Sequence, residues 1–160
     1  MGGHCIAVDP WFLVESFPEQ TKLLQAAREI NDSKPLQVLE QIFKQVADLQ
    51  TKTGKVKIEL TVLGVTYKPD VDDLRNSPAF YIAQELQKWP NINLTVVEPY
   101  VDLEILNKHF KLGVNNLDRL ILQPDLVVAL VAHTQFKQKT SDFRLPLDIL
   151  DFCAIKEKII

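Results

Sequence analysis

Residues 56–78 read VKIELTVLGVTYKPDVDDLRNSP, and this stretch decides the fold. Its first eleven residues alternate and then become almost continuously apolar, the pattern of a strand buried inside a sheet. Ser77-Pro78 supplies an N-cap followed by an N1 proline. A helix therefore opens there, carrying Phe80, Ile82, Ala83 and Leu86 until Trp89-Pro90 stops it. Further on, the pattern predicts a strand over 92–97, a helix over 103–110, a short helix over 117–122 and an uninterrupted apolar strand over 126–131. Residues 147–155 read as a short helix, with room for a final strand as well. Strands that alternate with helices require right-handed crossovers, so the class is α/β, three-layer, with a parallel sheet covered on both faces.

Upstream of the strand, the polar run 51–55 closes a helical region. Residues 19–31 place Leu23, Ala27 and Ile30 near helical spacing, and Pro35 can start a second helix carrying Leu36, Leu39, Ile42, Phe43, Val46 and Leu49. One kinked helix is the alternative. These stripes must be buried, either on a partner subunit or on the chain's own sheet. At the amino end, Gly2-Gly3 permits a tight backbone, and Asp9-Pro10 reads as N-cap and N1, so a loop meets a short helix there. The expected division is residues 1–54, a loop with helices, and residues 55–160, the sheet domain.

Composition sets wider bounds. The 160 residues are 46% hydrophobic and 24% charged, the balance of a globular chain with one core and an appendage. A net charge of −3 gives no general attraction to nucleic acid or to an anionic membrane. No apolar run approaches the roughly 20 residues that span a bilayer, and no signal peptide is evident, so a cytoplasmic protein is expected. The two cysteines, Cys5 and Cys153, have neither disulfide-framework nor zinc spacing and are expected to be reduced.

The loop of residues 63–78 stands at the carboxyl end of the first strand, where open α/β sheets bind ligands. Lys68 and Arg75 are candidates to hold phosphate or carboxylate oxygens, Tyr67 to stack on a base, and the helix after Ser77 to add positive dipole density. Alternatively, Lys68 and Arg75 pair with Asp70, Asp72 and Asp73 in a solvated loop. Neither GxGxxG nor GxxxxGK[ST] occurs. Cys5, beside His4 and two glycines, is either an activated thiol or a small buried hydrophobe. Asp9 either holds a water or another catalytic group, or caps a helix. His133 reads as a hydrogen-bonded strand-end residue, and Cys153 as an inert core thiol.

Two stretches, GGHCIAVDP at residues 2–10 and GVTYKPDVDDLRNSP at residues 64–78, resemble the UDP-glucose/GDP-mannose dehydrogenase family in motif, order and spacing, with AREINDSKP at residues 27–35 between them. The resemblance implies three parts: an NAD-binding Rossmann domain, central helices that form a homodimer, and a Rossmann-like domain for a UDP-sugar. The last two match this chain, which is expected to be a carboxy-terminal fragment, inactive alone.

The implied reaction oxidises UDP-N-acetylmannosamine to its uronate with two NAD. Cys5 attacks the intermediate aldehyde, and the resulting thiohemiacetal is oxidised to a thioester that water cleaves with help from Asp9. Gly3 and His4 match the stretch that borders the substrate, and a histidine there favours an N-acetylated sugar. Tyr67 and Lys68 match residues near the substrate, and Arg75 matches one that approaches NAD. The ending CAIKEKII departs from the family pattern. A stand-alone UDP-binding or dimerisation module, or a remnant without ligand, are the other readings.

Overall fold

The computed structural model describes residues 4–115, 124–139 and 149–155. Two helices come first, α1 (His4–Ser16) and α2 (Lys22–Thr53), and α1 packs on α2. The sheet domain follows with β1 (Ile58–Leu63), α3 (Pro78–Gln87), β2 (Ile92–Val97), α4 (Leu103–His109), β3 (Gly113–Val114), β4 (Leu126–Ala129), α5 (Thr134–Lys139) and β5 (Ile149–Asp151). All neighbouring strands are parallel, in the order β3-β2-β1-β4-β5. The winding direction therefore reverses between β1 and β4, which makes their carboxyl ends the topological switch point.

Alternation along the strands builds two cores. Ile58, Leu60 and Val62 of β1, with Leu126 and Val128 of β4, face Ile42, Val46 and Leu49 of α2 and Ile82, Ala83 and Leu86 of α3. Val127 and Ala129 of β4, with Leu63 and Val97, meet Phe136 of α5 and Ile155 in a smaller cluster. Helices thus cover both faces, as the apolar runs predicted. Ser77 caps α3 as expected: its Oγ accepts from the Phe80 N–H at 3.2 Å and donates to the Val65 carbonyl at 2.8 Å.

Three expectations need correction, and two elements are added. Asp9 and Pro10 are not the N-cap and N1 of a helix, because both lie inside α1. Pro10 withholds one helical N–H from the carbonyl four residues earlier, a local cost that packing on α2 offsets. Residues 19–31 and 35–49 do not form two helices, because α2 runs through Pro35 to a left-handed cap at Gly54. Residues 149–151 form strand β5, paired with β4, rather than a helix. Finally, β3 and α5, which had no counterpart in the sequence reading, complete the fold. The short helix expected at 117–122 lies outside the described residues.

The stripe on α2 divides. From Val38 onward it is buried against the chain's own sheet and α3, whereas Leu23 and Ile30 in its first half are 85% and 68% exposed. Phe12 and Leu13 on α1 and Phe17 in the turn are exposed as well. No described helix is long and apolar enough to cross a membrane.

Candidate functional site

Strand β1 leaves the sheet at Gly64, whose φ of 80° only glycine adopts without strain. The chain then runs over the carboxyl edge as the loop of residues 64–77 before α3. That loop carries Tyr67, Lys68 and Arg75. Its path is fixed from below by Glu98, the residue that follows β2. Glu98 is fully buried: Oε2 accepts from the Val65 and Thr66 N–H groups at 2.8 and 3.2 Å, and Oε1 accepts from the Tyr100 N–H at 3.1 Å. Every one of these contacts uses the side chain as an acceptor, the role of a carboxylate.

His133, beyond β4, is also fully buried, with Tyr100 and Phe136 against its ring. Nδ1 lies 2.9 Å from the Asp70 N–H, which can only donate. Nδ1 is therefore the bare acceptor, and the imidazole proton sits on Nε2. Nε2 faces Glu98 Oε2 at 3.1 Å and Thr66 Oγ1 at 3.2 Å. Asp70 completes the tie, its carboxylate accepting from the Thr134 N–H at 2.9 Å and the Thr134 hydroxyl at 2.6 Å at the start of α5. Asp70 sits at φ 61°, a left-handed conformation that aspartate tolerates better than most residues.

The two Thr134 hydrogen bonds, followed by that of the Tyr100 side chain, bring the Asp70 carboxyl from its ordinary 3.8 down to about 2. A carboxyl with a depressed folded-state value stabilises the fold above its ordinary value and loses that contribution as pH falls through the folded one. The parent should therefore lose stability between about pH 4 and pH 2 more steeply than Asp70→Asn, which keeps a side chain suited to φ 61°. Urea midpoints measured from pH 5 to pH 2 test this. Parallel curves would show that Asp70 does not drive the acid transition.

The loop charges divide as follows. Arg75 forms a two-pronged pair with Asp73, Nε to Oδ1 and Nη2 to Oδ2, both at 2.9 Å, and its side chain remains 83% exposed. Lys68 is exposed and enters no ion pair among the described residues. The expected mutual cancellation of loop charges thus holds for Arg75 and not for Lys68. Tyr67 is half-buried, and its N–H donates to the Asp73 carbonyl at 2.8 Å. Asp9 is exposed on α1. His4 and Cys5 belong to the first turn of α1, their side chains lying outside the described residues, as does Gly3 altogether.

Cys153 is partly buried, and burial with the adjacent Asp151 charge pushes its thiol up to about 12. It is no nucleophile at neutral pH, as expected. Among the described residues no group of His, Cys, Asp or Glu is arranged to hold a metal.

A cleft of about 240 Å³ adjoins the loop, between Asn31, Lys34 and Pro35 of α2 and Pro78 and Ala79 of α3, with Leu130 and Phe152 at its floor. It falls below the roughly 300 Å³ at which small-molecule pockets usually begin, so it can take only part of a nucleotide sugar. A second cleft of about 330 Å³, lined by Lys57, Lys88 and Lys111, opens at the amino-terminal edge of the sheet, away from the switch point.

A parallel sheet of this order, with a loop that carries Lys68 at its switch point, defines an open α/β domain of the ligand-binding kind. Residues 61–151 match the UDP binding domain of the UDP-glucose/GDP-mannose dehydrogenase family, and the chain belongs to that family. It is 41% identical over 144 residues to UDP-N-acetyl-D-mannosamine dehydrogenase of Escherichia coli (strain K12), covering 89% of this chain and 34% of the relative. The structure of UDP-N-acetyl-mannosamine dehydrogenase from S. aureus superposes with a TM-score of 0.66 at 38% identity, over 86% of this chain and 30% of that one. A UDP-D-ManNAc dehydrogenase from Pyrococcus horikoshii, at 24% identity, shares the fold with a TM-score of 0.75 over 99% of this chain and 36% of that one. The chain thus spans about a third of the length of the curated relatives it matches.

Proposed function

We propose that residues 55–160 bind the UDP moiety of a nucleotide sugar at the loop of residues 64–77, with Tyr67 and Lys68 against the substrate. In this reading the chain forms part of an NAD-dependent dehydrogenase that converts UDP-N-acetylmannosamine to UDP-N-acetylmannosaminuronate in the cytoplasm. The observation that carries it is Lys68: an exposed cation without an ion pair among the described residues, on a loop held at the switch point of a parallel sheet. A diphosphate placed there gains a charge-assisted contact without first breaking one.

The chemistry assigned to residues 1–54 is what the resemblance to the family implies for Cys5 and Asp9. The Cys5 thiolate adds to the carbonyl carbon of the sugar aldehyde and forms a thiohemiacetal. Once that is oxidised to the thioester, water attacks with Asp9 assisting, the C–S bond breaks, and carboxylate and thiol are released. Gly3 and His4 border the sugar. NAD would accept the hydrides, but these residues do not make a site for it: no GxGxxG occurs, and Arg75, assigned to approach it, is engaged by Asp73. Hydride transfer accordingly requires a dinucleotide domain besides these 160 residues. The exposed apolar residues of α1 and α2 support a homodimer formed through the helical hairpin.

Thermal-shift titration with UDP tests the reading. The parent should rise saturably, by about 5–10 °C at a hundred times the dissociation constant, and Lys68→Ala should abolish the rise. No rise at millimolar UDP would sink the nucleotide assignment. Reduction of NAD by the isolated chain given UDP-N-acetylmannosamine would sink its inactivity alone.

A further inference from the structure

The buried groups beneath the loop form a directed chain of hydrogen bonds that ends at Lys68. The Asp70 N–H donates to His133 Nδ1, which leaves the proton on Nε2, and Nε2 faces Thr66 Oγ1 at 3.2 Å. The Thr66 hydroxyl in turn donates to the Lys68 carbonyl at 3.1 Å. The Tyr67 N–H is held by the Asp73 carbonyl. The backbone on either side of Lys68 is thus tied down, while its side chain extends exposed above. His133 and Thr66 are 0% and 1% exposed, so both lie beneath the surface that a ligand would meet.

We propose that His133 and Thr66 are positioning residues for the nucleotide diphosphate: in its Nε2–H form His133 orders the Thr66 hydroxyl, which sets the Lys68 backbone and with it the place of the ammonium group. The inference rests on the reading of Lys68 as a UDP contact. Its physical content is preorganisation, since a cation on a fixed backbone loses less freedom on binding than one on a mobile loop. The tautomer is essential. With the proton on Nδ1, the ring would oppose the Asp70 N–H, and Nε2 would face the Glu98 carboxylate with a lone pair. The titratable groups facing the ring are Glu98 at the end of β2, Asp70 in the loop and Tyr100 beside Glu98, while α5 contributes Phe136.

The test separates the hydroxyl from the volume it fills. UDP dissociation constants are measured for the parent, Thr66→Val, Thr66→Ser and His133→Asn, each below its own melting temperature. Thr66→Val keeps the volume and removes the donor, and it should weaken UDP roughly three- to ten-fold, the scale of one hydrogen bond. Thr66→Ser keeps the donor and should stay within about two-fold of the parent, on the same scale. A packing role would give the opposite ranking, and that result overturns the proposal while leaving Lys68-dependent UDP binding intact. His133→Asn, with no second ring nitrogen to order Thr66, should resemble Thr66→Val.

If the variants do not fold, the imidazole ¹⁵N spectrum of the parent decides. A single tautomer with Nδ1 unprotonated supports the proposal, and a proton on Nδ1 overturns it. A parent that binds no UDP overturns both this inference and the reading beneath it.

Discussion

Replacing Glu98 with alanine should lower the melting temperature by about 10–20 °C, from a stability loss of about 3–5 kcal/mol. The expectation comes from what the carboxylate leaves behind. Val65 and Thr66 would each keep a buried N–H without an acceptor, Tyr100 would keep a half-buried one, and His133 would lose one of the two groups facing Nε2. An unsatisfied buried donor costs about 1–3 kcal/mol, so two of them with a third half-buried exceed what a lost methylene or a surface ion pair would cost. Glu98→Gln is the informative companion. Its amide oxygen can still accept, but its NH₂ cannot, so it should lose less than alanine and more than a surface substitution. Chemical denaturation of the three proteins measures this, and a loss under about 1 kcal/mol for Glu98→Ala would mean that water replaces the carboxylate.

Glu98 also shows what the sequence does and does not disclose. Strand β1, the Ser77 cap and α3 were legible because their signals are local: an apolar run, a hydroxyl three residues before the N–H it accepts, a proline at the first helical position. The loop of residues 64–77 is a candidate site on sequence grounds because strand ends in parallel sheets bind ligands whatever their sequence. The network beneath it was not legible. Glu98 contacts Val65 and Thr66 across 33 and 32 residues, and His133 meets Asp70 across 63, so no spacing rule connects them. The signal present, a carboxylate and an imidazole each following an apolar strand, marks a carboxyl edge but does not say that the two meet. His133 was read correctly as a hydrogen-bonded strand end, and its partners required the sheet order.

The misreadings have a common cause. Asp9-Pro10 and Pro35 are local stop or start signals, and helices α1 and α2 continue through both because the surrounding turns pack on one another or on the sheet. Strand β3 has two residues and α5 has six, too few for any period to register. The apolar run that holds β5 is short enough to fit helix or strand, and pairing with β4 decides it.

Gly64→Ala should destabilise the protein by about 2–5 kcal/mol, and it should also abolish UDP binding. A Cβ at this position would lie 2.6 Å from Val131 Cβ and 2.8 Å from the Val131 carbonyl oxygen, with Val131 Cα at 3.1 Å. Two of these atoms are backbone, so the conflict cannot be relieved by a rotamer change. Either β1's exit or the segment after β4 must move, although both Leu130 and Val131 donate their N–H groups to the Leu63 carbonyl at 3.0 and 3.3 Å. Val131 stands two residues before His133, so the displacement reaches the groups that hold Asp70 and Thr66. Gly54→Ala isolates the conformational part of the effect. Gly54 has a similar φ of 70° and nothing within 4 Å of an added Cβ, so its replacement should cost only about 1 kcal/mol and leave UDP binding as in the parent. The difference between the two glycines then measures the close approach of β1 to β4. Equal losses would show that the left-handed backbone alone demands glycine at residue 64, and that the switch point has room to spare.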